Sequence, residues 1–108
     1  MLFYEFNAGD KSYKLRLTTR SIVTLEKQIG CNPLMIFGKG DTVPTVSVMV
    51  QILHASLQAY EHNITLNDAY DIFDTYLADG NQMTDFIAVI LEIYKASGIM
   101  KGDEHEKN

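Results

Sequence analysis

The side chains able to do chemistry are few and widely spaced. Cys31 is the sole cysteine, so no internal disulfide can close, and no histidine or second cysteine stands at metal-ligand spacing from it. It reads as a buried or half-buried structural thiol. His54, His62 and His105 lie too far apart for a local metal motif, and a lone helical histidine is usually structural. Asp68, Asp71 and Asp74 recur at i, i+3 and i+6. A calcium loop needs D-x-[DN]-x-[DN]-G in irregular backbone, whereas a helix spreads these three over a wide arc, so they read as a solvated acidic face. Gly38-Lys39-Gly40 lacks both the upstream glycine and the following Ser or Thr of a phosphate-binding loop, and reads as a mobile connection. No nucleophile, base and orienting group stand in a known arrangement. The sequence therefore predicts a protein that is not an enzyme, with no catalytic residue, no cofactor and no metal.

The elements that would position side chains are better defined. Residues 2–7, "LFYEFN", alternate Leu2, Tyr4 and Phe6 against Phe3, Glu5 and Asn7, and residues 12–17 place Tyr13, Leu15 and Leu17 opposite Lys14 and Arg16. This is a period of two, hence a β-hairpin, with Gly9 available for positive φ in the turn. Two strands are marginal in water, so their apolar face must pack on something else. At Thr18-Thr19 the period becomes helical: Ile22, Leu25 and Ile29 form one stripe of a helix over 19–29, ended by Gly30. Asn32-Pro33 then starts a short helical turn over 33–37, and "GKGDTVP" makes a loop at 38–44.

Three longer helices follow. Residues 45–60 carry no formal charge, with Val46, Met49, Val50, Leu53, Leu57 and Tyr60 on one side and Val48, Ile52, Ala55 and Ala59 nearly opposite. A helix apolar almost all round is central in a fold or shared with a partner. In the helix over 66–79, Thr65 and Asp68 form a variant capping box, Leu66, Tyr70, Phe73 and Leu77 are expected to face inward, and Gly80 stops it. The last helix, 84–97, opens at Gln82 or Thr84 and closes at Gly98. Phe86, Val89, Ile90 and Ile93 make its core stripe; Ile87, Leu91 and Tyr94 add a second apolar patch, which either packs under the hairpin and central helix or forms an interface.

The expected fold is α+β and predominantly helical, with the N-terminal hairpin packed on a bundle of four helices. At 108 residues and 46% hydrophobic, the chain has material for one core and not for a second. It reads as a single domain over 1–100 followed by a disordered polar tail over 101–108, "KGDEHEKN". The net charge of −5 and scattered Lys and Arg residues argue against nucleic acid, which requires concentrated basic surface. Apolar runs are interrupted well short of a membrane span, and Glu5 follows the opening "MLFY" where a signal peptide would have a basic start, so neither membrane insertion nor export is expected.

The order hairpin, "KLRLTTRSIVTLEKQIGCNPL", glycine-rich loop, "LHASLQAYEHNITLNDAYDIFDTYLADG" and "DFIAVILEIYKASG" resembles the tail assembly chaperones of long-tailed phages and prophages of Gram-positive bacteria, from about Tyr13 to Gly98. The resemblance rests on the threonine-arginine entry to the first helix, Leu25-Glu26-Lys27 with Gly30 and Asn32-Pro33-Leu34, and Asp68-Ala69-Tyr70-Asp71. It implies a factor of the bacterial host cytoplasm, absent from the mature virion, that binds the tape measure protein, keeps its apolar helices soluble and helps recruit tail tube protein. It carries over no active site. On the residues themselves, Val48, Ile52, Ile87, Leu91 and Tyr94 are the expected partner-binding surface, exchanging between client and self-association into a homo-oligomer. The competing readings are a structural head or tail protein retained in the particle, and a small helical DNA-binding regulator. The latter needs a basic recognition helix, yet residues 19–29 offer only Arg20 and Lys27 beside Glu26.

Overall fold

The computed structural model describes residues 2–37 and 43–101. It shows an N-terminal antiparallel hairpin packed on four α-helices, an α+β fold. The strands are β1 (Tyr4–Ala8) and β2 (Lys11–Leu15); the helices are α1 (Thr19–Ile29), α2 (Val46–Leu57), α3 (Leu66–Ala78) and α4 (Asp85–Ala96), with a 3-10 helix at Pro33–Phe37 between the first two. The expected loop at 38–44 and polar tail at 101–108 fall largely on residues 38–42 and 102–108, which lie outside the described residues.

The hairpin turn is tighter than the alternation suggests, because Gly9 at φ 62° lets Ala8 pair directly with Lys11 around a two-residue loop. Register then pairs Phe6 with Tyr13 and Tyr4 with Leu15, placing these four on the covered face. The turn is docked: Gly9 N–H donates to the Asp79 carboxylate at 2.7 Å, at the end of α3. At the hairpin's other end, Arg16 holds three segments together. Its backbone N–H donates to Ser56 C=O at 2.9 Å, and its guanidinium donates to Leu2 C=O and, at 2.8 Å, to Ala96 C=O. The last contact puts a cation on the terminal carbonyls of α4, where the helix dipole favours one.

Helix ends follow local chemistry. Thr18 caps α1 by accepting from Ser21 N–H, and Gly30 closes it in the left-handed region at φ 79°. Thr65 and Asp68 form a reciprocal capping box on α3. Thr84, by contrast, makes no side-chain cap on α4; the Asp85 carboxylate instead accepts from Gln82 N–H at 2.8 Å. The core unites Phe6, Leu15 and Leu17 from the hairpin region with Leu25, the buried positions of α2, and Phe73, Phe86, Ile90 and Ile93. Phe6, Phe73, Tyr76 and Phe86 pack as an aromatic group with ring centroids 5.1–6.0 Å apart, the range in which edge contacts are favourable.

One helix face differs from expectation. On α3 the buried stripe is Ala69, Phe73 and Tyr76, while Leu66 and Tyr70 are exposed. Small Ala69 permits close approach to α2, and Tyr76 is drawn into the aromatic group, which turns the helix away from the more hydrophobic-looking stripe. Among the described residues, no helix is long and apolar enough to cross a membrane.

Candidate partner-binding surface

Helix α2 contacts α1, α3, α4 and β2, so its two apolar sectors both meet protein. Ile52, expected on a partner-binding surface, is fully buried, and full burial of such a side chain contributes roughly 1.5–3 kcal/mol that exposure would forfeit. Tyr94 is likewise fully buried, because the 3-10 helix lies over it: the Tyr94 hydroxyl donates to Pro33 C=O at 2.9 Å, and Phe37 meets its ring edge-on at 6.4 Å. Burial pushes that hydroxyl well above the usual tyrosine range, and the nearby Cys31 charge adds to the shift. Ile52 and Tyr94 are therefore corrected from surface to core. Val48 and Ile87 are half-buried and pack against the core, and Leu91 is half-buried one turn before the covered Tyr94.

The chain's most exposed apolar groups in this region lie elsewhere. Leu34 is 44% exposed, Met35 64%, Val43 54% and Val46 39%. A 3-10 helix has three residues per turn, so Pro33 and Ile36 share its inward face and Leu34 and Met35 are left outside. Asn32 fixes this geometry: its side-chain oxygen accepts from Leu34 N–H at 2.9 Å and its carbonyl accepts from Met35 N–H at 2.7 Å. The sequence signal was present in "PLMIF", an apolar run on a turn with only one covered face, but a helical wheel for a full α-helix does not register it. Val46 opens α2, just after Thr45, whose hydroxyl caps the helix by accepting from Val48 N–H at 3.2 Å.

The polar candidates are dispersed. Cys31 is exposed, contrary to the buried or half-buried thiol expected, because it follows Gly30 on the outside of the corner into the 3-10 helix. His54 and Gln58 both bond Ile64 C=O, at 3.1 and 2.9 Å, tying the segment after α2 back to the helix. Asp68 serves the α3 cap, and its hydrogen bonds from Thr65 hold its carboxyl below the usual aspartate range. Asp71 and Asp74 are exposed. Among the described residues, no three His, Cys, Asp or Glu side chains are grouped to hold a metal.

The sequence profile of one family, DUF6096, matches residues 4–108. The chain belongs to DUF6096, a family of unknown function. No curated protein matches it, and no solved structure does. For this DUF6096 chain, then, the candidate surface is defined by its own residues: Leu34 and Met35 on the 3-10 helix, Val43 and Val46 at the entry to α2, and the half-buried Val48, Ile87 and Leu91.

Proposed function

We propose that the chain is a phage tail assembly chaperone, which binds the tape measure protein in the bacterial host cytoplasm, helps bring tail tube protein to it, and is absent from the finished virion. The resemblance of residues 13–98 supports the class of protein. The observation that carries the binding role is the exposure of four large apolar side chains, Leu34 and Met35 on the 3-10 helix that Tyr94 ties to the core at Pro33, and Val43 and Val46 at the entry to α2. A chaperone for long apolar helices needs such side chains held on a firm base, so that client contact replaces water contact without unfolding the chaperone. The chain's net charge of −5 would keep the complex soluble.

Co-expression with the tape measure protein from the same phage genome tests this. The wild-type chain should co-purify with it and raise its soluble yield, while mass spectrometry of purified virions should find no copies. Abundant copies in the virion would favour a retained structural subunit.

A further inference from the structure

We infer that the free edge of β1 is a second docking site, which takes an extended, basic peptide segment of a partner by strand addition. The first observation is the direction of the backbone groups. Arg16 N–H points away from β1, to Ser56 C=O; because direction alternates along a strand, Ser12 and Lys14 also point away from β1. By register, Glu5 and Asn7 point their N–H and C=O groups to the opposite side, outward from β1. The β2 edge is tied to α2 at Arg16, but among the described residues no strand pairs with the β1 edge.

The second observation is the space beside that edge. A groove of about 390 Å³ runs between consecutive β1 residues Tyr4–Asn7 and one face of α4. Its helix wall is Asp85, Ala88, Val89 and Glu92, at i, i+3, i+4 and i+7, and the small Ala88 leaves the middle open. An unpaired edge with a walled groove offers main-chain hydrogen bonds on one side and side-chain pockets on the other, the requirements of strand addition.

Charge selects the occupant. The groove is lined by Glu5, Asp85 and Glu92, with no Lys, Arg or His among its lining residues. The carboxylates are partly engaged: Glu5 accepts from Ser12, Asp85 from Gln82 N–H, and Glu92 lies 3.6 Å from Lys95. Their field still reaches the groove's two tyrosines. Burial first, and then the charge of Glu92 for Tyr4 and of Asp85 for Tyr76, raises both hydroxyl pKa values. A second copy is a poor occupant, since pairing two β1 edges would bring these carboxylates together across the interface. The chain's own tail over 101–108 sets Asp103, Glu104 and Glu106 against only Lys101 and Lys107, so it is not the basic segment the groove favours.

The test is an NMR titration of the 15N-labelled full chain with an acetylated, amidated peptide alternating Lys and Val. Controls are the same peptide with Glu for Lys, and a version N-methylated at alternate residues so that it cannot pair as a strand. The basic peptide should shift the Glu5 and Asn7 amides and slow their hydrogen exchange, and neither control should do so. Glu92→Lys should weaken binding about tenfold or more. Unmoved Glu5 and Asn7 amides, shifts at Ser12 and Lys14 instead, or equal response to the N-methylated or acidic peptide would overturn the assignment. The peptide controls keep the test decisive even if Glu92→Lys perturbs the fold.

Discussion

Tyr94 joins the 3-10 helix to α4 through one buried hydrogen bond, and its behaviour should be measurable in two ways. Tyr94→Phe keeps the ring but leaves Pro33 C=O without its donor, and should cost about 1–3 kcal/mol in urea unfolding. The pH dependence has a definite sign. The folded-state pKa is raised, so the unfolded chain ionises first, near the ordinary value of 10.0; the stabilisation is complete below that pH and is lost as pH climbs through the folded value. Stability should fall above pH 10.0, and Tyr94→Phe should make that fall shallower. Asp68 shifts oppositely. Its folded pKa lies below the usual 3.8, because Thr65 donates to the carboxylate, so its contribution is present above that value and fades as pH falls through the folded one. An NMR titration should place Asp68 below 3.8, and Thr65→Ala should move it back toward 3.8 by removing the side-chain contact.

The elements were legible where local chemistry decides them. Thr18 and Gly30 bracket α1 at the predicted bounds, and Asn32-Pro33 starts the 3-10 helix where expected, since caps and proline act within a few residues. The strands moved by one or two residues because a two-residue turn was possible at Gly9, and alternation alone does not fix turn length. Faces were legible where the buried stripe is made of large aliphatic and aromatic residues, and not where a small residue or a polar-tipped ring takes the inward position. The α4 core stripe Phe86, Val89, Ile90 and Ile93 is buried as predicted, whereas α3 turned to bury Ala69 and Tyr76 in place of Leu66 and Tyr70. Gly9 provides a test at this scale. A Cβ there would sit 2.9 Å from Thr75 Cγ2, and the residue has φ 62°, so Gly9→Ala should destabilise by about 1–3 kcal/mol and lower the thermal midpoint. Adding Thr75→Ser, which keeps a hydroxyl for Asp71 C=O, should recover the steric part alone, provided serine turns its single γ atom to the hydroxyl position.

Across the whole molecule, the sequence indicated that α2 and α4 carry more apolar surface than one stripe can bury, but not which neighbours cover it. Periodicity describes a helix by itself; the covering of Ile52 by packed helices and of Tyr94 by the 3-10 helix depends on contacts distant in sequence. Among the large apolar side chains that stay exposed, Leu34 and Met35 stand on an element too short to show a period. Under the proposed function, Leu34 and Met35, with Val46, hold an apolar client. The most direct measurement is co-purification of the co-expressed tape measure protein with wild type, with the Met35→Asp, Val46→Asp double variant, and with Tyr70→Asp, an exposed apolar position on α3. The double variant should lose the client while its circular dichroism and thermal midpoint match wild type, and Tyr70→Asp should retain it. Undiminished capture by a folded double variant, or no capture by wild type, would contradict it.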